Sequence, residues 1–305
     1  MNNQHIDTIL AAGALENHKS IHLKTTIKNN LFILLWVVAG ITVQLPARAQ
    51  RDFNPPNLPK YDVQPYHFGF QISINQMFFT INTIGNMPEY IIPYSSEKFP
   101  DITPSYQSET SGRYYLRSGS VYSLESMPRL GFTISIIGNL RLMEYFDLRF
   151  IPSLAFGERQ LVYDLNLNYV SSETLPTSDT SMRAIMKKSV TSTYLEFPLY
   201  IKYKAKRLHN YSPYIIAGAK YSIDLASEAR KNKDEINNKH IKLFRSDIFG
   251  DIGVGVDFYN NWFKLGVELK MSYGVRDMLR REDNIYTDVI DGLNAKIFTL
   301  GVTFE

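Results

Sequence analysis

No cysteine occurs among the 305 residues, which excludes disulfides, thiolate metal sites and a cysteine nucleophile. The absence also suits an exported protein that avoids unpaired thiols. Tryptophan is scarce, with 2 residues against 20 tyrosines and 18 phenylalanines. Neither sign of charge dominates. The 33 basic and 30 acidic residues leave a formal +3, so there is no electrostatic case for nucleic acid. Long apolar runs are missing as well. The run from Leu31 to Val43 is well short of the ~20 residues that a membrane-spanning helix requires. A helical period of 3.6 is not sustained outside this leader region, and there are no low-complexity segments. The length suits one β-barrel or two small domains.

What is present begins with a targeting segment. Lys24 and Lys28 precede the apolar run, and Pro46 and Ala47-Arg48-Ala49 follow it. Basic region, short apolar region and small-x-small site, in that order, predict a secretory signal over residues 1–49, cleaved before Gln50. The alternative, a retained N-terminal anchor, is opposed by the shortness of the run. Cleavage removes Lys19, Lys24, Lys28, Arg48, Asp7 and Glu16, leaving a mature chain close to neutral. Residues 50–65 are rich in Pro and Asn and form an extended lead-in. An exported chain with no spanning helix is either soluble or a barrel.

The alternation of side chains decides between these. From Phe263 to Val275, Phe263, Leu265, Val267, Leu269, Met271, Tyr273 and Val275 share one face, and Lys264, Gly266, Glu268, Lys270, Ser272 and Gly274 share the other. Soluble strands usually run about 5–6 residues. A membrane strand needs about 9–11, with lipid on one side and a polar lumen on the other. The same pattern recurs from Phe68, and over Arg129–Leu140, Phe146–Gly157, Thr193–Lys204, Pro213–Leu225, Asp247–Phe258 and Asn294–Phe304. Connections between these segments alternate long and short. That parity predicts an all-β, eight-stranded antiparallel transmembrane β-barrel over residues 66–305, with short periplasmic turns and long outer loops. In the long first loop, Asn82 to Met127, the run Tyr114, Tyr115, Val121 and Tyr122 suggests an outward extension of the second strand. Ala226 to Phe244 is dense in charge and suits a solvated loop.

Eight strands enclose an interior that side chains can fill, so open conduction is not expected. The inward set includes Arg149, Glu196, Lys202, Asp251, Asp257, Glu268 and Lys270. Buried charges need partners. The prediction is a structural salt-bridge network of Arg149, Glu196, Lys202, Glu268 and Lys270, centred on Arg149, Glu196 and Glu268. An ion or proton path is the competing use of the same residues. Catalytic constellations are thin. After cleavage only His67, His209 and His240 remain, the first two at periplasmic ends and the third in a loop without a neighbouring acid. There is no clustered metal-ligand spacing and no glycine-rich phosphate loop, so no cofactor, small-molecule substrate or enzymatic activity is expected.

Two runs are more specific than alternation. Asn57-Leu58-Pro59-Lys60-Tyr61-Asp62 leads closely into His67-Phe68-Gly69-Phe70. This resembles the PorT family of Bacteroidetes outer-membrane proteins. Further similarity lies in Asn139–Leu142, Phe146–Pro152, Gly157–Arg159 and Thr193–Leu199, with departures in leader and loop length. The resemblance implies a non-enzymatic outer-membrane barrel that serves type IX protein secretion as an accessory or assembly component, and gliding motility in some relatives. It implies partners among other secretion components and supplies no catalytic residues. Leu58, Tyr61 and Asp62 are then the candidates to plug the barrel floor or dock a partner. A plain linker, whose prolines stop the first strand from growing, is the simpler use of that segment. The competing functions are a general barrel for envelope integrity or adhesion through its loops, and a lipid-modifying enzyme.

Overall fold

The computed structural model describes residues 57–108, 112–171, 180–226 and 241–305. The predicted signal segment 1–49, the start of the lead-in, His240 and most of the charged loop after Ala226 lie outside the described residues. Among the described residues all extended structure is antiparallel. The elements are β1 (Tyr66–Thr83), β2 (Ile92–Pro93), β3 (Ser105–Ser108), β4 (Gly112–Arg141), β5 (Phe146–Phe150), β6 (Ser153–Ser171), β7 (Thr180–Lys204), β8 (Tyr211–Asp224), β9 (Lys242–Leu243), β10 (Ser246–Tyr259), β11 (Lys264–Gly274), β12 (Leu279–Arg280) and β13 (Ile290–Phe304).

The sheet closes on itself. β1 pairs on one side with β13, from Phe70↔Phe304 to Thr83↔Ile290, and on the other with β4, from Tyr66↔Leu140 to Met77↔Arg129. From β4 the ring passes through β5 and β6, then β7, β8, β10, β11 and back to β13. β5 and β6 act as one strand interrupted at Ile151-Pro152, because Pro152 has no N–H for the ladder. The ring therefore has eight positions, and the short β2 and β3 add to β4 outside it. β9 and β12 make a separate two-stranded sheet. Short connections join β4 to β5, β7 to β8 and β10 to β11, all at one end, where the lead-in also arrives. The longer connections cluster at the other end.

Three strands are far longer than the sequence pattern indicated. β4 has 30 residues, β6 has 19 and β7 has 25. The expected long connection from Glu158 to Ser192 is strand throughout its described part, and the expected first loop contains the upper half of β4. The reason is visible along β6. Leu154 and Phe156 face outward in its lower half, opposite Ser153 and Ala155. Above Arg159 the chemistry swaps while the parity holds. Leu161, Tyr163, Leu165, Leu167 and Tyr169 point inward and are buried, whereas Asp164, Asn166 and Asn168 point outward. A search for apolar residues on the outward face loses the strand at that point. β7 makes the same change between Glu196 and Val190.

Two interiors result. At the short-turn end the lumen holds charged and hydroxylated side chains. At the long-loop end β4, β6, β7 and the connections enclose an apolar cluster that includes Phe79, Phe99, Leu161, Tyr163, Leu165, Tyr286 and Leu293. Outside, the lower half carries a continuous apolar belt. Leu130 and Phe68 are 76% and 72% exposed, with Ile72, Ile74, Ile134, Ile136, Ile201, Ile252 and Leu269 beside them. That much contiguous apolar surface is not left to water. Stacked aromatic pairs mark the belt at both levels: Phe70 on Phe304 at 4.9 Å and, one span higher, Phe78 on Phe298 at 5.7 Å.

Candidate functional site

The strongest concentration of chemistry lies in the lower lumen. Inward parity delivers Arg149 from β5, Lys202 from β7, Asp257 from β10 and Lys264, Glu268 and Lys270 from β11. Arg149 is fully buried and forks between two carboxylates. Its Nη1 donates to Glu268 Oε2 at 3.0 Å and its Nη2 to Glu305 Oε1 at 2.5 Å. Glu268 also receives Tyr214 Oη at 2.9 Å and pairs with Lys270 at 2.9 Å. Lys264 binds Glu305 at 2.6 Å, and Lys202 binds Asp257 at 2.5 Å with its ammonium 3.7 Å above the Tyr214 ring. One connected ionic body thus crosses the barrel from β5 to β11. Removing a single member would strand the others in a dry interior, which makes the cluster rigid.

The predicted centre does not hold together as one group. Arg149 and Glu268 meet, but Glu196 bonds to neither; it pairs with Lys220 of β8 at 2.9 Å. The physical reason is reach. Glu196 sits higher on β7, and a small polar cavity of about 20 Å³ separates it from the lower cluster. Gln71, Ser73, Ser135, Tyr200 and Ser272 help to line that cavity, which has room for about one water molecule. Four participants are absent from the predicted network: Asp257, Lys220, Lys264 and Glu305. Each has inward parity in the sequence, so the alternation carried the signal. What it could not carry was which inward residues share a level around the ring.

The lead-in folds across the floor of this lumen. Residues Tyr61–Val63 form a single 3-10 turn. The Tyr61 ring stacks on His67 at 3.9 Å, and its hydroxyl donates to Glu305 Oε2 at 3.3 Å. Burial pushes that hydroxyl well above the usual tyrosine range, opposed by the Lys264 ammonium. Asp62 accepts from Tyr259 Oη at 2.8 Å and from Arg207 Nη1 at 3.4 Å. Arg207, in the turn between β7 and β8, is the clamp. Its guanidinium donates to the carbonyls of Asn57 and Leu58 and lies 3.7 Å over the Tyr259 ring. Leu58 adopts φ of 50°, the left-handed conformation that reverses the chain there. Of the candidate docking residues, Tyr61 and Asp62 are therefore engaged with the barrel floor and Leu58 is half-buried. The exposed side of the strap is Pro59, Lys60 and Val63, the last 70% exposed.

His67 is held against Tyr61, and His209 lies in the same clamp turn with φ of 57°. Among the described residues no group of three or more His, Asp or Glu is arranged to hold a metal.

No curated protein matches the chain. Neisserial surface protein A is similar in structure at 11% identity, covering 79% of this chain and 98% of that one, with a TM-score of 0.34. The outer membrane protein OprG from Pseudomonas aeruginosa is similar at 11% identity, covering 78% and 94%, with a TM-score of 0.31. The outer membrane protein beta-barrel domain matches residues 49–280, most of the chain. With its closed antiparallel sheet, apolar outer belt and charged interior, this chain belongs to the outer membrane protein beta-barrel domain family and resides in the outer membrane.

Proposed function

We propose that this protein is a sealed, non-enzymatic barrel that serves the type IX secretion system as an accessory or assembly component. The barrel is oriented with its short turns and lead-in in the periplasm and its apolar cap outside, as short-turn and long-loop ends are ordinarily disposed. The observation that carries the reading is the lead-in itself. Asn57–Asp62, the segment of the family resemblance, is latched across the floor by Arg207, Tyr259 and His67. A loose linker needs no such clamp. A segment that presents a fixed surface to a periplasmic or outer-membrane partner does. Partners then meet the outer side of the strap, Pro59, Lys60 and Val63, while Tyr61 and Asp62 hold its shape; changes at Leu58, Tyr61 and Asp62 act through that shape.

A filled lumen supports a scaffold and opposes a pore. The ionic body closes the lower half, and packed aromatics close the upper half.

The test is a deletion strain with cargo-localisation blots. The expected result is secreted cargo trapped in the periplasm, restored by the wild-type chain and poorly restored when Leu58, Tyr61 and Asp62 are all changed to Ala. Cargo export intact in the deletion strain would overturn the secretion role and leave a general envelope barrel.

A further inference from the structure

The wall of β4, β6 and β7 rises above the neighbouring strands, and its two margins end differently. On one side the upper part of β4 is covered. β3 pairs with it from Ser105↔Tyr115 to Ser108↔Gly112, and β2 pairs Ile92 with Gly119. Leu116 N–H donates to the Pro104 carbonyl at 2.8 Å, and Tyr94 N–H to the Arg117 carbonyl at 2.9 Å. On the other side β8 lines β7 from Lys204↔Tyr214 to Tyr194↔Asp224 and then leaves it. Its last contact is the Leu225 N–H, which donates to the Thr193 carbonyl at 2.8 Å. Above Thr193, β7 pairs only with β6 among the described residues, up to Tyr169↔Thr180.

The open margin can be read residue by residue. In an antiparallel ladder the N–H and C=O of one residue point to the same side, and that side alternates along the strand. Thr193 aims both groups at β8: its N–H donates to Asp224 Oδ1 at 3.2 Å, and its carbonyl accepts from Leu225. The register of β6 with β7 runs from Ser153↔Glu196 to Tyr169↔Thr180 without a slip, so this parity carries upward unbroken. Thr191, Ser189, Lys187, Ile185 and Ser181 therefore aim their backbone groups away from β6, and each of them is exposed. Proline and bulges, two of the usual devices that blunt an edge, are absent from Thr180–Thr193. An open edge of this length is a template for another strand.

Charge narrows the occupant. Thr180–Thr193 contains Arg183, Lys187 and Lys188 and no acidic residue. Asp164 answers Arg183, and Asp101 answers Lys188. Lys187, exposed in the middle of the edge, has no carboxylate within 4.0 Å among the described residues. A second copy of the chain would set these cations against themselves, and like charges across a ladder repel. Residues 227–240 carry Arg230, Lys231, Lys233 and Lys239 against Glu228, Asp234 and Glu235, so charge does not favour them either. We propose that the upper edge of β7 is a docking site for an extended, acidic segment of another protein, which adds to the sheet as an antiparallel strand. Main-chain hydrogen bonds to Ile185, Lys187 and Ser189 supply the affinity, and a carboxylate opposite Lys187 supplies the selectivity. The site goes beyond the secretion role and does not depend on it.

Fluorescence polarisation with the mature protein in neutral detergent tests the site. The first probe is a labelled peptide of about ten residues, a full strand length, in which valine alternates with glutamate. The others are its valine–lysine counterpart and the acidic peptide N-methylated at every amide. The wild type is expected to bind the acidic peptide at least fivefold more tightly than either of these. Ile185→Pro and Ser189→Pro each remove an N–H that the ladder with β6 does not use, a place where an edge strand tolerates proline. Each should weaken binding of the acidic peptide roughly tenfold, and Lys187→Glu should reverse the preference between acidic and basic peptides. Heat-modifiable migration on a gel checks that each variant is folded, and Lys187→Glu leaves every backbone group in place. No binding of the acidic peptide by the wild type, equal binding of its N-methylated form, or unchanged binding by all three variants would overturn the site. So would slow amide exchange at Lys187 and Ser189 in the free protein, because the edge would already be taken. A dimer seen by native mass spectrometry and dissociated by the proline variants would overturn the choice of partner.

Discussion

The lower and upper halves of this barrel interior are built on the same strands with opposite chemistry. Below the level of Asn75 and Thr299 the inward positions hold Arg149, Glu268, Lys264 and Asp257, and the outward positions hold Ile72, Ile134 and Leu269. Above it the inward positions hold Leu161, Tyr163, Leu165 and Leu293, and the outward positions turn polar. Only the surroundings differ. Lipid on the outside removes the hydrophobic driving force across the wall, so the lower half stays closed by its ladder and fills its lumen with paired charges. Water on the outside restores that force, and the upper half folds as an ordinary apolar core. At ~3.3 Å per residue and a tilt of ~40°, the stretch of β6 from Leu161 to Ser171 rises about 25 Å beyond the belt.

Removing one ion should break the lower half with the largest effect. Arg149→Met leaves Glu268 and Glu305 with one cationic partner each, and a loss of about 3–5 kcal/mol in unfolding free energy is expected. Urea titration in detergent, followed by heat-modifiable migration, measures it. An unchanged midpoint would mean that the ionic body contributes nothing to holding the lumen closed.

A change in the upper half should be felt locally. Leu161 is fully buried in the apolar cluster, and Leu161→Ala is expected to cost about 2–5 kcal/mol there. Limited proteolysis should cut the long-loop end of the variant faster while the lower barrel keeps its folded migration. Loss of both together would show that the halves unfold as one unit, and the comparison would fail.

The smallest effect concerns pH. Burial pushes the Tyr286 hydroxyl, in the connection before β13, up to about 12 from an ordinary value of 10. A folded state that holds its proton more tightly than the unfolded chain is stable below pH 10 and loses that contribution as pH rises toward 12. The cap should therefore loosen in this alkaline window, read by proteolysis against pH, and Tyr286→Phe should flatten that part of the profile.

The sequence carried the lower half almost completely. Lipid makes the outward face of each strand apolar, and the period-two pattern of Phe263–Val275 and its relatives reports that directly. The upper half was hidden for the same reason. Glu158–Ser192 keeps the same parity as the lower strands but exchanges the two chemistries, so a pattern tuned to lipid passes over it as a loop. Tyr114, Tyr115, Val121 and Tyr122 were a partial signal of this extension. The ionic site was legible as a set and not as a set of pairs. Glu196 and Arg149 have the same inward parity, yet strand tilt places them at different levels, and Lys220 reaches Glu196 first.

The sequence by itself determined that this is a membrane barrel with a charged interior, because alternation and connection length are local properties of the chain. Tertiary structure alone decided that Glu305 closes on Arg149 across 156 positions and that Arg207 straps Asn57 and Leu58 over the floor. Those contacts depend on the stagger of strands around a closed ring. No single strand encodes the stagger; it is fixed only when β1 meets both β4 and β13.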